Sequence, residues 1–240
     1  MSTDLADARS GELPPDQVRA MFDRIAPRYD LLNRAMTMGL DRSWRRQAAA
    51  LADLAAGDRA LDVCTGTGDL ALELVARTTA KGQVVGLDVS PQMLERAREK
   101  ASVRGDDVHF EVGDATDLPY ADDAFDAVTV AFGVRNLASL DRGLAEMARV
   151  VRPGGRMVVL EISTPRRLQH FYRLWFDRLV PALGATLGRD GAAYSYLPAS
   201  VRRFPDPATL AERMHDSGLG DVHWRPLAGG IVTLHWGRVR

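Results

Sequence analysis

Between residues 59 and 162 the apolar positions follow two alternating periods. Short apolar runs of strand length recur, and stretches with apolar residues every three or four positions lie between them. The first run is Ala60, Leu61, Val63 and Cys64; Leu70, Leu72, Leu74 and Val75 then continue as a helix to about Thr78. Residues 83–89 predict the second strand, ending in Asp88. Ser90 and Pro91 follow as an N-cap and a first-turn proline, and Met93, Leu94 and Ala97 carry that helix to about Arg104. Residues 108–112 predict a third strand and 125–132 a fourth. Leu140, Leu144, Met147 and Val151 mark a helix that Arg152-Pro153-Gly154-Gly155 should stop. Residues 157–162 predict the fifth strand. Five βα units in succession imply an α/β fold with a parallel, doubly wound, Rossmann-like sheet. Its binding crevice lies at the carboxyl ends of the strands.

The flanks read differently. Residues 1–15 are small and polar, and disorder is expected there. Val18, Phe22 and Ile25 fall at helical spacing, Pro27 interrupts, and Tyr29-Asp30-Leu31-Leu32-Asn33 follows. A second helical piece is expected over 43–54, with Trp44, Ala48 and Leu51 on one face. Residues 16–56 therefore form an N-terminal helical cover ahead of the βα core, 57–162. Residues 163–205 form an insertion containing Phe171, Tyr172, Trp175, Phe176, Tyr194, Tyr196 and Phe204. Such aromatics either pack a core or wall a pocket for a greasy substrate. A helix over 206–217 and strands over 219–225 and 231–238 close the chain within 206–240.

Composition narrows the class. The 240 residues carry a net charge of −1, which argues against nucleic acid as the main partner. The single cysteine, Cys64, excludes an internal disulfide and suits a reducing cytoplasm. The N-terminus lacks the apolar core of a signal peptide, and no apolar run approaches the ~20 residues of a membrane span. Histidines 109, 170, 215, 223 and 235 show no metal-ligand spacing, so no metal is expected.

The candidate chemistry gathers at the strand ends. Gly66 and Gly68 permit a sharp turn and close approach to a ligand, and the helix after them presents unpaired N–H groups. Gly66-x-Gly68-x-x-Ala71, with Asp88 20 residues after Gly68, also fits a loose dinucleotide pattern. Asp62 tips the reading toward S-adenosylmethionine. A carboxylate inside the first strand suits a cationic amino-acid group and repels a pyrophosphate; the plainer alternative is that it caps the turn. Asp88 can accept both ribose hydroxyls of an adenosine, and Asp114 is positioned for an adenine amino group.

Longer stretches carry a resemblance. They are FDRIAPRYDLLNRAMTMG (22–39), DVCTGTGDLA (62–71), GLDVSPQML (86–94), GDATDLPY (113–120), FGVRNL (132–137), RVVRPGGRMVVLE (149–161), PALG (181–184), YSYLPASVRRFP (194–205) and GGIVTLHWG (229–237). With these the chain resembles the ubiquinone/menaquinone biosynthesis C-methyltransferases. Two positions depart: the family usually has glycine or alanine at Thr65 and often serine at Ala131. The resemblance implies a class I methyltransferase fold, a seven-stranded sheet whose last strand runs antiparallel. It implies S-adenosylmethionine as methyl donor, held by Thr67, Asp88, Asp114 and Ala115. It also implies methylation of a ring carbon on a polyprenylated naphthoquinol, with a benzoquinol as the nearest alternative. Arg135 is the candidate stabiliser of the ring oxyanion. Tyr29, Asp30 and Asn33 are candidates to bind or deprotonate the hydroxyl groups. The expected donor set is Asp62, Gly66, Thr67, Gly68, Asp88, Asp114, Ala115 and Ala131. An apolar substrate tail implies a cytoplasmic protein touching the membrane reversibly, through Trp44 with Arg42, Arg45 and Arg46 or through 166–178. A nicotinamide-dependent dehydrogenase and a non-catalytic donor-binding protein are the readings from other classes.

Overall fold

A computed structural model describes residues 13–165 and 191–240. The expected N-terminal disorder falls almost wholly outside the described residues, as do the 171–176 aromatics and the 166–178 patch.

Seven strands form one sheet in the order β3-β2-β1-β4-β5-β7-β6. They are β1 (Arg59–Val63), β2 (Gln83–Asp88), β3 (His109–Val112), β4 (Phe125–Ala131), β5 (Val151–Ile162), β6 (Leu219–Leu227) and β7 (Val232–Val239). The pairs β1–β2, β2–β3, β1–β4 and β4–β5 are parallel, and β7 runs antiparallel to both its neighbours. The central strands β1, β2 and β4 are largely apolar because both faces are covered, whereas the edge strands β3 and β6 are mostly exposed. Ala60, Val84, Ala127 and Val158 point to one face, beneath α3 (Asp41–Leu51), α4 (Asp69–Thr78) and α5 (Pro91–Arg104). Their neighbours Leu61, Val85, Val128 and Val159 point to the other, beneath α6 (Leu140–Arg149) and α8 (Pro207–Asp216). Strand alternation thus divides the core into two layers.

The cover begins with α1 (Pro15–Ile25), opened by a proline at the first helical position. A 3₁₀ turn, Ala26–Arg28, absorbs Pro27, and Tyr29–Thr37 then forms its own helix, α2. The Tyr29–Asn33 cluster is therefore helical and does not link two helices as a loop. Within the insertion, Gly191–Arg203 forms α7.

Two expectations are corrected. Pro153 and the glycines do not stop a helix. The α6 helix ends at Arg149, and Val151 already pairs with Phe125 as the start of β5. Val150 and Val151 are fully buried and the Phe125 N–H donates to the Val150 carbonyl, so burial draws the chain into the sheet early. The register shift between Phe125 and Ala127 absorbs the Pro-Gly-Gly stretch, with Gly154 at φ +80°. Nor is there a helix between β3 and β4. Asp114 Oδ1 accepts from the Thr116 N–H and hydroxyl, folding that connection into turns. Leu118 is buried, Tyr120 packs edge-on to Phe125, and Glu146 and Arg149 of α6 bond the intervening backbone.

Candidate functional site

The turn after β1 concentrates unusual backbone. Cys64, Gly66 and Gly68 all have positive φ, at 52°, 57° and 81°. Gly68 caps α4 in the left-handed region, and a Cβ there would lie 3.0 Å from Ala97 and from the Phe110 ring. Opposite, a Cβ on Gly133 would come 2.4 Å from the Cys64 Cβ, so the loops after β1 and β4 touch through a glycine. Burial pushes the Cys64 thiol up, and nearby carboxylates add to it, so Cys64 is a neutral packing residue.

Asp88 ties this turn to β2. Its Oδ2 accepts from the Gly66 N–H at 2.8 Å and its Oδ1 from the Ser90 N–H at 2.9 Å. Burial raises its pKa to about 6 against these donors. Ser90 caps α5 through the Met93 N–H as expected, and its hydroxyl donates to Asp23 of α1 at 2.6 Å. That bond fastens the N-terminal cover to the rim of the cleft.

The cleft itself has a volume of about 90 Å³. Gly66, Asp88, Asp114, Ala115 and Ala131 line it, and α1 contributes Val18 and Phe22. Asp62, Thr67 and Gly68 do not line it. Asp62 lies across from Thr129 in the β1–β4 register, 1% exposed, and accepts hydroxyl hydrogen bonds from Thr65 (2.6 Å) and Thr129 (2.7 Å). Burial raises it to about 6. Asp62 therefore holds the turn from inside, and the ammonium partner expected of it gives way to two internal hydroxyls. The Thr67 hydroxyl is likewise spent, donating to Asp30 at 2.6 Å and accepting from Lys100 at 2.9 Å.

A second cavity, about 180 Å³ and largely apolar, lies beside the first. Phe22, Tyr29 and Phe132 line both and form the partition between them. Tyr29, Asn33 and Arg135 reach this cavity, with Tyr196 of α7 opposite in sequence origin. Asp30 does not. It forms an ion pair with Lys100 at 2.8 Å and bonds Thr67, because α2 turns it toward the donor-side turn, away from Tyr29 and Asn33. Asp30 thus ties the cover to the core.

Arg135 is buried and forms an ion pair with Glu161 at the end of β5, 2.9 Å away. Its Nη1 also donates to the Phe132 carbonyl, while Nε is buried with no partner. Burial opposes the charge, but Glu161, with Tyr29 and Tyr196, outweighs it and holds the guanidinium protonated. Burial pushes Glu161 itself up, partly countered by Arg135. The pair leaves one side of a fixed cation facing an apolar cavity.

Trp44 (8% exposed) and Arg45 (5%) are buried, so they do not form the basic-aromatic surface patch expected of them. The α3 periodicity places 41, 44, 45, 48 and 49 on its inner face and leaves Arg42 and Arg46 outside. No helix among the described residues is long and apolar enough to cross a membrane. Of the two acids offered by the sequence as an ion-pair partner for Arg135, Asp30 and Glu161, the structure pairs it with Glu161. Asp23 and Lys100 were not legible, because they lie 67 and 33 positions from the Ser90 and Thr67 hydroxyls they bond.

Comparison with known proteins agrees with the geometry. A family model described as the ubiE/COQ5 methyltransferase family matches residues 9–239. A demethylmenaquinone methyltransferase of Deinococcus radiodurans is 48% identical over 225 residues, covering 93% of this chain and 92% of that one. One of Thermus thermophilus is 48% identical over 219 residues, 90% of this chain and 99% of the other. A ubiquinone/menaquinone biosynthesis C-methyltransferase of Geotalea daltonii is 42% identical over 226 residues, 92% and 96% of the two chains. Among solved structures, the [4+2]-cyclase SpnF superposes with a TM-score of 0.70 at 20% identity, covering 95% of this chain and 97% of that one. An S-adenosylmethionine-dependent methyltransferase of Thermotoga maritima gives 0.64 at 18%, covering 92% and 99%. These two support the class I methyltransferase fold. On the match over nearly its whole length, the chain belongs to the ubiE/COQ5 methyltransferase family.

Proposed function

We propose that the protein methylates a ring carbon of a polyprenylated demethylmenaquinol, using S-adenosylmethionine. The observation that carries the reading is the adjoining pair of cavities: a strand-end cleft bearing Asp88, Asp114 and Asn136, and an apolar chamber with an enclosed arginine, separated by Phe22, Tyr29 and Phe132. The strand-end cleft suits the donor. Asp88 keeps a lone pair free on each oxygen for ribose hydroxyls. Asn136 Oδ1, buried and without a partner, offers an acceptor to a cationic or amino group. Asp114 and Ala115 serve the adenine end, and the Cys64–Gly68 turn shapes the floor. Asp62, Thr67 and Gly68 act behind that floor as supports.

The donor supplies an electrophilic methyl group on sulfur. The chain's own residues supply alignment and charge. Arg135 faces the oxygen beside the acceptor carbon and favours the ionised, electron-rich quinol. Tyr29 and Asn33 orient the hydroxyl groups, and Phe132 keeps the two compartments adjacent while excluding water. When the ring carbon has formed its new bond, its proton moves to the oxygen and the quinol is restored. The reaction as proposed uses no metal.

The prenyl tail favours reversible contact with the cytoplasmic face of a membrane. Met38 (73% exposed) and Leu40 are exposed apolar residues at the corner between α2 and α3, where both also line the apolar chamber. Relatives named for ubiquinone biosynthesis support the benzoquinol as second substrate. Labelled donor assayed against demethylmenaquinol and demethylated benzoquinol tests the choice. Faster turnover of the naphthoquinol supports the first reading, and exclusive turnover of the benzoquinol replaces it with the second.

A further inference from the structure

We propose that Arg45 binds the second oxygen of the ring, the one across from the oxygen that Arg135 faces, and so selects rings with two opposed oxygens. This rests on the quinol reading above and names what that site recognises.

Arg45 enters the apolar chamber from α3, fully enclosed, yet its donors are largely unspent. Nε has no hydrogen-bond partner. Its ion-pair partner, Asp41, stands at 4.0 Å, and the Asp41 Oδ1 already accepts from the Thr37 hydroxyl. A buried guanidinium in this condition is costly unless something completes it. Asp62 and Asp69 lie within electrostatic reach of it, and its charge favours the ionised form of both. Neither accepts a hydrogen bond from it, however: Asp62 is spent on Thr65 and Thr129, and Asp69 on Lys100. The acids account for the charge and leave the directed donors unused.

Phe132 links this group to the catalytic wall. Its φ of 62° is a left-handed conformation on a bulky residue, the kind of strain that persists where the surroundings impose it. That conformation lets its carbonyl hold Arg135 while its ring lies 5.2 Å from the Arg45 guanidinium, with Trp44 packed on its edge. One residue thus stands between two buried arginines, one on its carbonyl and one over its ring. A flat ring with an oxygen at each end matches two cation donors; a ring with one oxygen leaves the second arginine unserved. The fork of Arg45 provides two N–H groups for that oxygen.

The test compares two acceptors with the full-length protein. One is the prenylated naphthoquinol. The other is a matched naphthol that keeps the hydroxyl beside the acceptor carbon and lacks the one across the ring. Donor affinity and melting temperature are measured on the same preparations. Arg45→Met should raise KM for the quinol by about 10- to 100-fold, the loss of one hydrogen bond from a charged donor. Its effect on kcat should be smaller, and the wild-type preference for quinol over naphthol should fall by the same factor. Arg45→Lys should recover part of that preference. Equal losses on both acceptors, or no loss on either, would overturn the proposal and leave Arg45 a structural counter-ion. If Arg45→Met does not fold, Arg45→Lys carries the test: a loss confined to the quinol supports the proposal, and an unselective one overturns it. A wild-type protein that binds donor and methylates neither ring overturns the quinol reading itself, and the role of Arg45 with it.

Discussion

Arg135 carries two roles in this account, and one set of substitutions separates them. Arg135→Ala removes the cation that faces the chamber and strands Glu161, 1% exposed, without its ion pair. Breaking a buried pair from one side costs about 3–5 kcal/mol. Glu161 still accepts from the Ile162 N–H at 2.7 Å and the residue-135 N–H at 3.4 Å. The cost should therefore sit near the lower end, about 3 kcal/mol, which for a chain of this size lowers the melting temperature by roughly 6–12 °C. Loss of one oxyanion donor should independently slow turnover by about 10²–10³. Combining Arg135→Met with Glu161→Gln removes both charges, leaves no orphaned ion, and should regain most of the stability. It should regain none of the rate. Melting temperature by calorimetry and turnover by labelled-donor transfer, read on the same preparations, decide the matter. If the double variant recovers turnover together with stability, Arg135 serves the fold and its assignment to the oxyanion is wrong.

Three further expectations follow from the same geometry. Asp88→Ala should weaken S-adenosylmethionine by about 1.5–3 kcal/mol in titration calorimetry; unchanged affinity in a folded variant would remove the ribose assignment. Asp62 is raised to about 6 by burial, so the folded state holds its proton more tightly than the unfolded chain does. The stabilisation by that proton is complete below pH ~4 and is lost as pH rises through about 6, an amount near 3 kcal/mol. Asp62→Asn should therefore gain stability relative to the wild type by about that amount between pH 4 and 7; parallel stability profiles would contradict the burial account. The Met38 and Leu40 corner should bring the protein to anionic liposomes in flotation, and Met38→Ser with Leu40→Ser should reduce it. Equal flotation of both proteins would exclude that corner as the contact.

The sheet was legible because short apolar runs and helix caps are local signals. Ser90-Pro91 is one: its hydroxyl caps α5 as a sequence reader would expect. The Pro-Gly-Gly stretch misled because a glycine that ends a helix and one that forms a strand bulge look alike until burial of Val150 and Val151 is known. The missing helix between β3 and β4 has the same cause: Glu146 and Arg149 satisfy that backbone from 28 residues or so downstream. Gly66, Asp88, Asp114, Ala115 and Ala131 line the cleft because each follows or ends a strand at its carboxyl end, a placement that strand order makes local. Asp62 and Asp30 were polar residues beside the site whose partners, Thr129 and Lys100, lie 67 and 70 positions away. Arg45 was read as surface because charge ordinarily is; only packing against Phe132 brings it inside.

Methyl transfer to carbon on a quinol ring can be followed by incubating the protein with prenylated demethylmenaquinol and S-adenosylmethionine carrying a ¹³C-labelled methyl group, then locating the label by NMR and mass spectrometry. One labelled methyl is expected on the ring carbon beside an oxygen, formed one-for-one with S-adenosylhomocysteine. A label found on oxygen as an ether, or no label on the ring while the donor binds, would contradict it.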